Sequence, residues 1–187
     1  MSTIEWVAAG VSLAAVILAV RRSLLTFPVG IVGACLYGWV FFGSALYGNA
    51  ALQLYFVAVQ LDGWRHWHRA DQAEGQVRPR TLTARQALVS AALTLAAVVG
   101  IGWTLASATD SQAPVADAAM TGLSVAAQLL QARRFVENWP VWIVVNSIGA
   151  LLFWSQDLHV TSGLYALFLA LALVGWAGWS KAMKKPL

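Results

Sequence analysis

The chain has 187 residues, of which 59% are hydrophobic and 11% charged, with ten tryptophans and a formal charge of +4. Soluble domains carry about 25% charged residues, so the composition excludes a water-soluble enzyme or nucleic-acid binder and predicts an all-α integral membrane protein with the lipid bilayer as its solvent. The single cysteine, Cys35, excludes an intrachain disulfide and an all-cysteine metal site, and no cofactor is indicated.

Seven apolar runs follow in chain order, at 4–20, 27–42, 50–61, 84–106, 115–130, 139–153 and 162–179. Several fall short of the ~20 residues of a typical span, the third most of all, but all seven read as transmembrane helices. Basic residues follow the first run and no small-residue cleavage site is evident, so it reads as a span and not as a cleaved signal. With the N-terminus outside and the C-terminus inside, all twelve Lys and Arg residues, from Arg21 to Lys185, fall at the cytoplasmic face, and Glu5, Asp110, Asp117 and Asp157 fall opposite.

The first helix carries Ser12, expected to bond back to its own backbone. The second has glycines at 30, 33 and 38 for close packing, and Trp39 either faces a pathway or belongs to an interfacial aromatic belt. In the third, Gln53 and Gln60 are seven apart on one face and argue for a polar cavity, with inter-helix glue as the alternative. Asp62 is expected at the inner interface near Arg65. The loop from Arg65 to Thr83 reads as a solvated connector, and its His66 and His68 lack the carboxylate or thiolate company of a metal site.

The fourth helix, mostly Ala, Leu and Val, suits a linker or an oligomer contact. The fifth carries Gln128, the deeper candidate for a cavity, and Gln131, which reaches toward the interface near Arg133. In the sixth, Trp142 and Asn146 are four apart and share a face: an aromatic plate beside an amide with two donors and two acceptors. Such a pair either stacks on a ring and bonds its substituents or fills an interface between helices. The seventh has Tyr165 and ends in Gly175, Trp176 and Trp179, whose tryptophans read as membrane anchors.

Sliding the sequence on itself by 112 residues places Arg21-Arg22 on Arg133-Arg134, Phe27-Pro28 on Trp139-Pro140, and Gly63, Trp64 and Trp67 on Gly175, Trp176 and Trp179. About 20 of roughly 70 aligned positions are identical. The predicted architecture is therefore 3+1+3: a first unit at 1–70, a loop and linker helix at 71–112, and a second unit at 113–187, the units being parallel repeats. Pro28 and Pro140 fall in the first turns of their helices, with Thr26 and Asn138 as candidate caps. Polar groups differ between copies: Asn146 matches Ala34, Trp142 matches Gly30, Gln53 matches Tyr165, Gln60 matches Ala172 and Gln128 matches Val16. A shared scaffold with an asymmetric lining is what a site for one asymmetric small molecule needs, which favours a binding role for Trp142 and Asn146.

The stretch LQLYFVAVQLDGWRHW at 52–67, the segment NWPVWIVVN at 138–146, the run Gly163 to Tyr165 and the 3+1+3 repeat together resemble the PnuC-type vitamin transporters over nearly the whole chain. The resemblance implies a bacterial inner-membrane facilitator, usually a homotrimer, that moves an unphosphorylated vitamin such as nicotinamide riboside and relies on cytoplasmic phosphorylation to trap it. It also implies that Trp142 and Asn146 contact the base or ribose, with Gln53 helping. Asp62 departs from the aromatic expected before Gly63-Trp64. Related members carry thiamine, riboflavin or deoxynucleosides, and a sugar facilitator of similar design also fits the residues.

The chemistry limits the mechanism independently. No Lys or Arg lies deep in a span to meet a phosphate, and no buried carboxylate pair or mid-helix histidine offers a proton relay, so a uniporter is expected. The expected lining is Trp142, Asn146, Gln53, Gln128, Trp39, Gln60 and Tyr165. An intramembrane enzyme would need a nucleophile with its base, or a metal cluster, at membrane depth, and the sequence offers neither.

Overall fold

Seven helices are found among the described residues: α1 (Thr3–Val20), α2 (Thr26–Gly43), α3 (Tyr47–Glu74), α4 (Ala84–Ala108), α5 (Pro114–Ala132), α6 (Asn138–Ser155) and α7 (His159–Met183). The computed structural model describes residues 3–43, 47–108 and 114–184; Asp110, Lys185 and the Asn49 side chain lie outside them. Four helices are apolar and long enough to cross a membrane by composition: α1, α2, residues 84–104 of α4, and α7. The other three, α3, α5 and α6, are the ones that carry Gln53, Gln60, Gln128, Gln131 and the Trp142–Asn146 pair. The polar lining itself lowers their hydropathy.

Helix packing follows the glycines. A Cβ at Gly63 would lie 2.6 Å from the Phe27 ring, and one at Gly175 would lie 2.6 Å from the Trp139 ring, so each glycine admits the aromatic that opens the preceding helix. Around them sits an aromatic core, with Phe27 on Trp67 at 5.0 Å, Trp67 on Trp179 at 5.6 Å and Trp139 on Trp179 at 5.4 Å between ring centroids. Trp67 and Trp179 are fully buried. The anchoring role expected of Trp179 is thereby corrected: Trp67 and Trp179 sit one turn beyond Gly63 and Gly175 on the same inward face, and Trp64 and Trp176 take the outward one.

The Trp67 Nε1–H donates to the Gln131 carbonyl at 3.1 Å, and the Trp179 Nε1–H donates to the Ala19 carbonyl at 3.1 Å. α3 thus holds α5, and α7 holds α1. The turns after α1 and α5 also match. Ser23 N–H bonds Leu18 and Arg22 N–H bonds Ala19; Phe135 N–H bonds Leu130 and Arg134 N–H bonds Gln131. Both are Schellman caps with an arginine in the left-handed region, Arg22 at φ 58° and Arg134 at φ 63°.

Asp62, one turn before Arg65 on α3, pairs with Arg133 at 2.9 Å. Two further expectations are corrected. Thr26 and Asn138 do not cap their helices: the Thr26 hydroxyl donates to the Ala15 carbonyl at 2.8 Å, and the Asn138 amide donates to the Phe135 carbonyl at 2.6 Å. The stretch from Arg65 to Thr83 is not a solvated connector, because α3 runs on to Glu74 and the chain beyond it is strapped across the bundle end. Arg80 exchanges backbone bonds with Arg134 and Val136 at 2.9 Å, Arg22 donates to the Val77 carbonyl at 3.2 Å, and Val77 is buried in the tryptophan core. Among the described helices α4 packs on α5 alone, and Leu88, Leu93, Val99 and Trp103 of its outer face are exposed.

Candidate functional site

α6 presents one face every three to four residues: Trp142, Asn146, Gly149 and Phe153. Asn146 is 6% exposed. Trp142 is half-buried, abuts the tryptophan core, and donates its Nε1–H to the Gln131 side-chain oxygen at 3.3 Å. Gln128 lies one turn earlier on α5, on the same side as Gln131. Gln131, expected near Arg133, is thereby drawn beside Trp142. Only the order of turns on α5 hinted at this in the sequence.

Across the molecule, α2 and α3 place two more amides. Gln60, 8% exposed, lies over Gly30, where any Cβ would collide with its Oε1. Gln53 packs its Cβ against Gly38, 3.4 Å from where a Cβ would stand. On α7 the Tyr165 ring lies over Gly149 and stacks near Phe153 at 5.2 Å.

The same contacts differ across the 112-residue register of the sequence. Where α2 has Gly30, covered by Gln60, α6 has Trp142 and α7 has the small Ala172. Where α6 has Gly149, covered by Tyr165, α2 has Tyr37 and α3 has Gln53. Bulk is exchanged between neighbouring helices at two levels, so the lining differs between the sides while the packing volume is kept.

Among the described residues Gln53, Gln60, Gln128 and Asn146 make no side-chain hydrogen bond, and none of their amide atoms is fully enclosed; the fully enclosed side-chain atoms without a partner are His66 Nε2, Arg134 Nε, Glu137 Oε2, Asn138 Oδ1 and Trp139 Nε1. Amides left open in this way keep two donors and two acceptors each for water or a polar ligand. Trp39 does not join them. It is 73% exposed, and lying nine residues beyond Gly30 it is turned half a circle away from the face that meets Gln60. A separate apolar groove of about 730 Å³ runs between α4 and α5, away from the amides.

Residues 2–181 match the family described as Nicotinamide mononucleotide transporter. The nicotinamide riboside transporter PnuC of Escherichia coli is 28% identical over 210 residues, covering 99% of this chain and 88% of that protein. The riboflavin/roseoflavin transporter RibM of Streptomyces davaonensis is 32% identical over 163 residues, covering 85% and 76% respectively. The crystal structure of the vitamin B3 transporter PnuC superposes with a TM-score of 0.77 at 28% identity, covering 97% of this chain and 82% of that one. The apolar helices and bacterial relatives make the chain a multi-pass protein of a bacterial cytoplasmic membrane. With a match that runs from the start of α1 nearly to the end of α7, and a shared fold of helices to carry it, the chain belongs to the nicotinamide mononucleotide transporter family, in which the PnuC-type vitamin transporters fall.

Proposed function

We propose that the chain is a facilitated-diffusion uniporter for an unphosphorylated vitamin or nucleoside, with nicotinamide riboside as the favoured substrate, trapped by phosphorylation in the cytoplasm. The observation that carries the reading is that the side-chain amides of Gln53, Gln60, Gln128 and Asn146, on α3, α5 and α6, make no hydrogen bond to the described residues and are not fully enclosed, which leaves them open to a polar ligand. A ribosyl ligand rich in hydroxyls satisfies them, and the Trp142 indole stacks on its flat ring. A cationic pyridinium would gain a further cation–π attraction of about 0.5 to 2 kcal/mol. The absence of Lys or Arg deep in the spans leaves a phosphate without a counter-charge, so the riboside is favoured over the mononucleotide.

The same proposal takes 1–70 and 113–187 as parallel repeats joined by 71–112, with the N-terminus outside and the C-terminus inside. The reciprocal bonds of Trp67 to Gln131 and Trp179 to Ala19, and the paired caps at Arg22 and Arg134, support the repeats. The clustering of basic residues supports the orientation. Rocking of one repeat against the other would expose the amides to each side in turn. A homotrimer would cover the bare face of α4.

Trp142→Ala and Asn146→Ala are each expected to abolish uptake while the protein still inserts and folds; normal uptake in both would end the assignment. An uptake rate that collapses with an uncoupler, in cells lacking the trapping kinase, would end the uniport mechanism. A second reading, riboflavin as substrate, is favoured by the 32% identity to RibM. Calorimetry of the purified protein with nicotinamide riboside, riboflavin, thiamine, deoxynucleosides and sugars separates these readings, because one clear binder identifies the class.

A further inference from the structure

We propose that Gln131 is a positioning residue that fixes the plane of the Trp142 indole, an inference that rests on Trp142 being the stacking wall of the site. A ring used as a platform must hold one orientation, because a wall left to turn about its side-chain torsions would lose binding to disorder. The Trp142 Nε1–H donates to Gln131 Oε1 at 3.3 Å, which ties the free edge of the ring to α5. Gln131 is itself held, since its backbone carbonyl accepts the Trp67 indole at 3.1 Å and its neighbours Leu130 and Ala132 are buried.

The comparison between halves separates the two bonds of Gln131. The backbone bond has a counterpart, from Trp179 to Ala19, and belongs to the scaffold. The side-chain bond has none. Position 19 is alanine where 131 is glutamine, and position 30 is glycine where 142 is tryptophan, so donor and acceptor are absent from the first half together. An amide needed only to glue α5 to the bundle would be redundant beside the scaffold bond that Gln131 already makes. Its place is explained by the ring it holds, and its NH2 group, unpartnered among the described residues, stays available on the side shared with Gln128.

Gln131→Met keeps the volume and the backbone carbonyl but removes the acceptor, and Gln131→Glu restores a side-chain oxygen. Calorimetry with nicotinamide riboside and riboflavin is expected to read about three- to tenfold weaker binding in Gln131→Met, recovery in Gln131→Glu, and an unchanged melting temperature. In a Trp142→Phe background, which has no N–H to donate, Gln131→Met should add less than about twofold. An equal loss in both backgrounds, or no loss in either, would overturn the positioning role. Ultraviolet resonance Raman of the indole N–H, with Trp142 assigned by difference from Trp142→Phe, needs no ligand: the band should move in Gln131→Met and return in Gln131→Glu, and a band that stays put overturns the inference. If Trp142→Ala binds both ligands normally while the band still moves, the function assigned to Trp142 fails and the geometry of the pair stands.

Discussion

The side-chain amide of Gln60 lies directly over Gly30, so closely that a methyl group at position 30 would collide with Gln60 Oε1. The obstacle is the far end of a flexible side chain and not backbone, so the amide can swing aside at little cost. Gly30→Ala is therefore expected to fold and melt within about 1 kcal/mol of the parent and yet lose most of its substrate affinity. Calorimetry and a thermal melt on the same preparation check both halves of this statement; a large loss of stability with unchanged affinity would contradict it.

Gly175 is the opposite case. Its Cβ would stand 2.6 Å from two carbons of the Trp139 ring, and that ring is wedged against the buried Trp179 at 5.4 Å. Neither indole has room to move. Gly175→Ala is expected to destabilise by about 1–3 kcal/mol, measured as the loss of folded protein in a detergent melt.

The Asp62–Arg133 pair spans α3 and the end of α5, but both side chains are about half exposed, at 55% and 50%. Solvent screens such a pair, so Asp62→Asn should change stability by less than about 1 kcal/mol, with the difference shrinking further in high salt. A loss of several kcal/mol would mean that the pair is structural in a way its exposure does not suggest.

His66 follows the apolar run at 50–61 on α3 and faces the basic end of the bundle. Burial, and then the charges of Arg134, Arg80 and Arg133, hold its pKa below the ordinary histidine value of 6.5, with Asp62 opposing. The native state therefore takes up its proton later than the unfolded chain does. Stability from neutral His66 is fully present above pH 6.5 and is lost as the pH falls from there through the depressed native value. The melting temperature should drop between pH 7.5 and 5.5, and His66→Gln should reduce that drop; a variant that keeps the whole drop would assign it to other groups.

Much of the architecture is legible in the sequence because membrane helices announce themselves locally. The seven apolar runs fall within the seven helices, and the prolines at 28 and 140 lie in first turns, since both features depend on nearest neighbours along the chain. The pairing of Trp142 with Asn146 on one face likewise follows from helical period alone. Trp39 illustrates the limit. Its composition suited a pathway wall, but which face of α2 meets α3 depends on where Gly30 and Gly38 find Gln60 and Gln53, and that is a contact between helices.

The sequence by itself determined the membrane class, the number of helices and the 112-residue correspondence, because hydropathy and internal similarity are properties of the linear chain. Only the tertiary structure decided that Trp179 is core and not an anchor, that the segment after α3 straps the bundle end, and that Gln131 reaches Trp142. Each of these turns on which helix faces which. That choice rests on steric fit at glycines and on buried donors finding acceptors, and both partners of such contacts are fixed only when the helices pack.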